Sequence, residues 1–575
     1  YIKTVFTDSA TVLLFIRPRR FGKTLLMTMF ESFLKINKDK PFDTSLQEKY
    51  FKGTRILEDT EFCKKFMGQY PVIEISLKDV DGKTYDDAYK MFASTVSSVA
   101  SKFKYLLDSN RLDEKEKDGI SRISDIAFLR EQENSDYLKN SLRILASALY
   151  REYGKYPVLL IDEYDVLLAN ASYHDTTNKK LYSNDKSFVA DYHEKMVTLI
   201  KGFFGILKDK NTLTRTVLIG CLRVVNNSLI SGFNNFTVNS VTDNERKYTG
   251  IIGFTKEETQ KFLKDYELDD YATIVKEHYD GYRFFDKEMF CPWDVVKFVR
   301  KNFDFKQNRE LQKIVAGNYW AGSTSDKSLS DYIGYLTDKD NQRMQDLIDG
   351  KSISFKLNES MNYDTLSEHN SDDFWSLLLH TGYENELTKD SSSDKNIFAR
   401  IPNLEIKECF TNNIQNRFNT EVVPNNIADT LANSLFEGKA DTASDTIFEL
   451  LQRYISIRDT ATKAPFENYY HGFLNGLFSN CSKGFFSEYH SNCEAGDGYA
   501  DIVFKSKRED KAVIIEIKAA SAGADLITLS ENAVAQIDRK NYAEPFVQSR
   551  MISSIYTYGI AFSGKNCFIT CKKIK

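Results

Sequence analysis

"TVLLFIRPRRFGKT", residues 11–24, decides how this chain is read. Its first six residues form a short apolar run, the pattern of a strand buried on both faces. "TLLMTMFESFLK", residues 24–35, has the spacing of an amphipathic helix. Between them lies a turn that closes with Gly22, Lys23 and Thr24. Strand, turn and helix N-terminus in this order make a phosphate-binding loop. Successive backbone N–H groups surround the phosphates, a Lys reaches the β and γ oxygens, and a Thr hydroxyl ligates Mg²⁺. Arg17 stands where such a loop usually has its first glycine. Pro18 fixes φ and can build the turn instead. Arg19 and Arg20 place positive charge beside the anion, and Phe21 and Gly22 lead into Lys23. Taken alone, the run also fits a basic turn before a helix.

Working outward, "YPVLLIDEYD", residues 156–165, is an apolar strand that ends in Asp162 and Glu163. A buried parallel strand of this kind delivers one carboxylate (Asp162) to the Mg²⁺ shell and the next (Glu163) to an attacking water, the Walker B pattern. A core strand ending in an acidic surface turn would read the same way. Two such motifs in the right order make an ATP and Mg²⁺ site the stronger reading. "RTVLIGCLRV", 215–224, supplies a third strand and Arg223, a candidate sensor of the γ-phosphate. "YPVIEISL", 70–77, supplies a fourth. Strands separated by helical stretches predict an α/β fold with a parallel sheet and crossover helices.

The middle of the chain reads as helical. Thr255 and Glu258 have capping-box spacing at the start of "TKEETQKFLKDY". Helical pattern is expected to continue through "YATIVKEHYDGYRF" and "PWDVVKFVRKNF", as a lid. "DDFWSLLLHTGYENEL" reads as helix, turn and strand, and "NIFARIPNLEI" as a second strand. Helices followed by a hairpin suggest a winged-helix-like unit, which can bind DNA or serve only as packing. "SYHDTTNKKLYSNDKS" is expected to be a polar surface loop.

A second chemical signal lies in "GYADIVFKSKREDKAVIIEIKAA", residues 498–520. Two apolar strands joined by a charged turn predict a hairpin. Asp501 is on the first strand. Glu516 and Lys518 are two apart on the second, so they share a face opposite Ile515 and Ile517. That face is expected to be wet. Two carboxylates from adjacent strands can hold Mg²⁺, and a neighbouring Lys can orient a water, which is the chemistry of phosphodiester hydrolysis. A surface hairpin with charges on its outer side is the plainer alternative.

These stretches, with "IGCLRVVNNSLISGFNN" and "YDGYRF", resemble the AAA-like ATPases of bacteria and anaerobic fungi that carry a C-terminal PD-(D/E)xK nuclease domain. The resemblance covers nearly the whole chain. RPRRFGK[ST] is the usual loop of that family, so the resemblance implies that Arg17 is no sign of decay. The D-(x)14-ExK spacing matches the nuclease motif. Gln536 and Tyr542, on an expected helix, resemble the RecB-type branch. The resemblance also makes Glu467, on an expected helix with His471, a further metal candidate, and Glu488 a weaker one.

It implies four parts: an ATPase core (1–245), a helical lid (246–330), a winged-helix-like and helical linker region (331–465) and a restriction-endonuclease-like nuclease domain (466–575). The expected activity is Mg²⁺-dependent ATP hydrolysis coupled to cleavage of nucleic acid, DNA favoured, in defence or mobile-element biology. A nucleotide-gated switch and a DNA-binding module without cleavage remain alternatives, and a homo-oligomer is possible.

The bulk numbers fit this reading. A chain of 575 residues is too long for one core. The net charge of −5 gives no global attraction to nucleic acid, so any contact is local. Eight scattered cysteines without a CxxC pair, and seven histidines without ligand spacing, argue against a zinc site or a disulfide framework and for a reducing cytoplasm. No apolar run reaches the roughly 18 residues of a membrane span. The opening "YIKTVFTDSA" has no signal-peptide pattern, and its lack of an initiator Met suggests a start within a longer protein.

Overall fold

The structure is a computed structural model that describes residues 1–181, 191–222, 236–242, 246–319, 340, 343–344, 346–347, 350–358, 371–389, 396–417, 425–454, 467–479, 481–482, 484–495, 498–520, 523–564 and 566–575. The chain forms two compact units: Tyr1–Gly322 with Ser352–Ile406, and Ser323–Lys351 with Lys407–Lys575.

In the first unit five strands make a parallel sheet: β1 (Val12–Ile16), β2 (Val72–Ser76), β3 (Val158–Asp162), β4 (Arg215–Gly220) and β5 (Phe236–Asn239), in the order β2-β3-β4-β1-β5. The strands β1, β3 and β4 are buried along their whole length. Sequences such as VLLFI and VLLI are apolar without alternation because both faces of the sheet are covered. The strand β4 lies between β1 and β3, with Ile16 opposite Gly220 and Ile219 opposite Asp162. That register brings the C-terminal ends of three strands together, where ligands bind in open α/β sheets. All four strands expected from sequence form.

Helix Lys23–Leu34 follows β1 directly. Helix Val166–Leu181 follows β3, so the stretch expected to be a polar loop is helical as far as residue 181; residues 182–190 lie outside the described residues. Asp175, on this helix, accepts the N–H groups of Tyr192 at 3.3 Å and His193 at 2.8 Å, which ties it to the start of the next helix, Tyr192–Phe203.

The capping box at Thr255 and Glu258 forms. Helix Ala272–Tyr279 then stops earlier than expected. A small antiparallel sheet of β6 (Phe254–Thr255), β7 (Tyr282–Phe284) and β8 (Lys287–Phe290) takes the place of continued helix, and helix Pro292–Gln307 follows. Farther on, β9 (Ile353–Lys356), helix Ser371–Thr381, β10 (Asn385–Lys389) and β11 (Asn396–Arg400) make a three-stranded sheet with order β10-β11-β9.

The second unit is built on β12 (Phe486–Ala495), β13 (Gly498–Ser506), β14 (Lys511–Ala519), β15 (Ser554–Ser563) and β16 (Asn566–Lys573), in sequence order. Only β14 and β15 are parallel, joined by helix Leu526–Arg539. One face of the sheet, with Ile515 and Ile517, packs on helices Asn425–Phe436, Ala440–Tyr454 and Glu467–Ser479. The other, with Val503 and Ile514, packs against Ile537 and Tyr542.

Candidate functional site

The loop 17–24 owes its path to two left-handed residues. Arg20 has φ 67° and Gly22 φ 89°. Glycine adopts this region without penalty, whereas a non-glycine residue there is a local strain typical of functional loops. Lys23 begins the helix, and its ammonium is buried. It donates to Arg17 O at 3.1 Å, Pro18 O at 3.0 Å and Cys221 Sγ at 3.0 Å. These are the bonds an incoming phosphate would exchange.

Thr24 Oγ1 donates to Asp162 Oδ2 at 2.6 Å, which joins the loop helix to the end of β3. Asp162 is 1% exposed, and its Oδ1 has no hydrogen-bond partner among the described residues. A buried carboxylate oxygen without a donor is costly. Beside a Thr hydroxyl it fits one corner of a Mg²⁺ shell made mainly of phosphate and water oxygens.

Glu163 has φ 52°, and burial pushes its carboxyl above the usual range against the opposing charges of Lys23 and Arg19. Asp165, which the sequence reading passed over, is fully buried. Its Oδ2 accepts Cys221 N at 3.0 Å and Leu222 N at 2.8 Å. Burial raises its carboxyl even so. Asp165 thereby fixes the exit of β4 against the acidic turn. Its signal was a third acid in "DEYD", three residues after Asp162.

Arg17, at the position of the usual first glycine, is bonded into the sheet. Its guanidinium is 1% exposed and donates to Ile16 O at 2.9 Å, Asn239 O at 3.0 Å and Tyr248 O at 3.2 Å, and also to Asn239 Oδ1. It lies 5.4 Å from the centre of the Phe284 ring. These carbonyls tie β1 to β5, so Arg17 holds the loop in place rather than offering its charge to phosphate. Arg223, the candidate sensor, lies outside the described residues.

In the second unit, paired positions of β13 and β14 run from Ile502–Ile515 to Lys505–Ala512. One more pair would set Asp501 against Glu516. The ladder opens there instead, and Asp501 Oδ2 accepts Ile517 N at 2.7 Å. Lys518 Nζ donates to Glu516 Oε1 at 3.1 Å, and Gln536 Nε2 from helix Leu526–Arg539 donates to the same oxygen. Glu516, Lys518 and Gln536 therefore meet, and Asp501 is tied to the backbone between Glu516 and Lys518.

The face is not wet, as the sequence suggested. Glu516 is 3% exposed, because the crossover helix between β14 and β15 covers it. Tyr542 lies beyond the end of that helix, buried in the core. Glu488 pairs with Lys505 at 2.9 Å, four residues along β13 from Asp501 or roughly 13 Å at the rise of a strand. It is therefore outside the cluster. The side chain of Glu467 lies outside the described residues, although its helix begins there. One turn on, His471 Nε2 lies 2.9 Å from Asp501 O and 3.1 Å from Ser491 Oγ, a fixing contact that sequence reasoning did not assign. Two carboxylates are a hard, oxygen-only donor set, suited to Mg²⁺ or Mn²⁺. Among the described residues no group of three His, Cys, Asp or Glu converges to hold a metal.

No helix among the described residues is long and apolar enough to cross a membrane. Residues 1–230 match a family model described as "Predicted AAA-ATPase", and residues 465–572 match one described as "PD-(D/E)XK nuclease superfamily". Comparison with curated proteins gives no match.

Proposed function

We propose that this chain, which joins an AAA-ATPase-like domain to a C-terminal PD-(D/E)XK nuclease superfamily domain, binds and hydrolyses ATP with Mg²⁺ and cleaves phosphodiester bonds, DNA being the favoured substrate. The observation that carries the ATPase half is the contact of Thr24 with Asp162, with Asp162 Oδ1 buried and unsatisfied beside it. Lys23 exchanges its loop carbonyls for phosphate oxygens. Glu163, carried on the strained turn after β3, takes a proton from the attacking water; its raised proton affinity suits a base. Thr24 and Asp162 would hold Mg²⁺, which would supply charge neutralisation of the phosphates.

In the nuclease half Asp501 and Glu516 would hold a divalent metal, which would lower the proton affinity of water. Lys518 orients that water, and Gln536 fixes the Glu516 carboxylate. Defence against foreign DNA or mobile-element biology, in the cytoplasm, is the setting we favour.

The test uses the full chain with labelled single- and double-stranded DNA and RNA, with and without ATP and Mg²⁺. Lys23→Ala should abolish ATP turnover. Asp501→Ala, Glu516→Ala and Lys518→Ala should each abolish cleavage and leave DNA-free ATP turnover in place. Wild-type turnover in Lys23→Ala, or cleavage that survives Glu516→Ala and Lys518→Ala, would displace the respective site.

A further inference from the structure

Helix Pro292–Gln307 has one face in the core and one outside it. Val295, Phe298 and Val299 are buried in an apolar cluster with Leu263 and Tyr279, and Asn302 is buried on the same side. The opposite side carries Trp293, Val296, Lys297, Arg300, Lys301 and Asp304. Residues three, four, seven and eight apart share a helix face, so these side chains form one stripe. From Trp293 to Lys301 it runs about 12 Å at the rise of a helix.

Trp293 is the unusual member. A large aromatic ring is normally covered by a core or an interface, yet Trp293 is 45% exposed, whereas Trp375 is fully buried. Cations gather round it. Lys297 Nζ lies 4.5 Å from the centre of its ring. The Arg20 guanidinium, from the loop 17–24, lies 5.6 Å from it, and Arg20 Nη1 has no hydrogen-bond partner among the described residues. Lys306, farther along the helix, is neutralised by Asp270 at 3.3 Å. Lys297, Arg300 and Lys301 have no acidic partner among the described residues. Asp304 is the one exposed acid of the helix, because Asp294 is buried. Arg20, Lys297, Arg300 and Lys301 therefore make a local positive stripe in a chain whose net charge is −5.

An open indole among unpaired cations fits one partner chemistry best. In a single polynucleotide strand the phosphates answer the cations, and every base has a π face to lay on the indole. An acidic peptide answers the cations only. A duplex keeps its base faces covered by its own stacking. A stripe of about 12 Å also spans about three phosphates of a stacked strand, spaced about 3.4 Å apart.

We propose that the outer face of helix Pro292–Gln307 binds a single polynucleotide strand, with one base stacked on Trp293 and phosphates held by Lys297, Arg300 and Lys301. The proposal rests on the reading of the chain as a protein that acts on nucleic acid, and it gives that reading a contact surface in the first unit.

Fluorescence anisotropy with labelled oligothymidylate and oligouridylate, each about 12 nucleotides long, is measured on the full chain in EDTA without nucleotide, so that nothing is cut. Trp293→Ala should weaken binding by about 5–150-fold, the range for loss of one stacked base, and Trp293→Phe should retain most of the affinity. Lys297→Gln combined with Arg300→Gln should lower the slope of log affinity against log salt by about 1.4, at about 0.7 for each lost phosphate contact. Both side chains lie on the outer face, so this variant tests the surface even if Trp293→Ala does not fold. The strand should quench tryptophan emission, and Trp293→Phe should lose that quenching. Unlabelled duplex DNA and polyglutamate should compete less well than the strand.

Binding of either strand satisfies the proposal, and the ratio of the two names the favoured sugar. It is overturned if the unmodified chain binds neither strand, if folded Trp293→Ala binds as the parent does, if the salt slope of the double variant is unchanged, or if duplex or polyglutamate competes as well as the strand. Cleavage is scored separately with Mg²⁺. A chain that binds strands through this face and cuts none keeps the surface and loses the nuclease reading. A chain that cuts while Trp293→Ala leaves binding intact does the reverse.

Discussion

Replacing Asp162 with Asn separates the metal requirement of the nucleotide site from its folding. Asp162 is 1% exposed, accepts one hydrogen bond from Thr24 at 2.6 Å and leaves Oδ1 without a partner among the described residues. A buried acceptor without a donor costs about 1–3 kcal/mol, and more when charged. Asn keeps the volume and the Thr24 contact and removes the charge. The metal-free variant should therefore match the parent within about 1 kcal/mol, or exceed it.

With ATP and Mg²⁺ at about 100 times the dissociation constant, the parent gains about 2.7 kcal/mol by mass action. For a unit of this size, with an unfolding entropy of about 2.1 cal/mol/K per residue, 1 kcal/mol moves Tm by about 1–2 °C, so the parent should rise by about 3–5 °C. The variant should rise by less than about 1 °C, because it has lost the charge that completes the metal shell. Differential scanning calorimetry with ATP alone, Mg²⁺ alone and both together reads this directly. A full Mg²⁺-dependent rise in Asp162→Asn would refute the metal assignment. A loss above about 3 kcal/mol in the metal-free variant would show that the carboxylate serves the fold instead.

Glu163→Gln should keep ATP affinity within about threefold while lowering turnover by about 10²–10⁴. Because burial raises the Glu163 carboxyl, the acidic limb of the parent's turnover profile should lie above the usual Glu range and flatten in the variant; a limb at the unshifted value would argue for another base. Gly281→Ala should cost about 2–5 kcal/mol, since φ is +94° and the new Cβ would lie 1.9 Å from Pro402 O; chemical denaturation that shows a change under about 1 kcal/mol would mean the contact is loose. At Asp8, burial pushes the carboxyl up, but Lys247, Tyr248 and Ala10 N–H outweigh it and bring it down to about 2. A folded value below the unfolded one stabilises above the unfolded value, so this contribution, about 2 kcal/mol at neutral pH, is present above about pH 4 and fades as pH falls toward 2. Asp8→Asn should accordingly lower stability at pH 7 and not at pH 2, measured by urea titration at both.

Much of the scaffold is legible along the chain. Runs such as VLLFI and VLLID, each followed by its polar turn, predict buried parallel strands, because a strand covered on both faces cannot alternate. Thr255 and Glu258 mark a helix start through a bond only three residues long. Glu516 and Lys518 fall on one face because side chains alternate along a strand. All of these are local rules, with periods of two to four residues.

The partners of each side chain are another matter. Arg17 sits in the motif as a phosphate ligand would, yet it reaches Asn239 and Tyr248, more than 200 positions away, once β5 is laid beside β1. Glu516 is buried rather than wet because a crossover helix, 526–539, returns over β14 and sets Gln536 against it. No periodicity carries such pairings, since burial and proximity arise only when separate elements close on one core. The sequence alone determined which chemistry the chain brings; packing decided which of those residues hold the fold and which are carried to the ends of the strands.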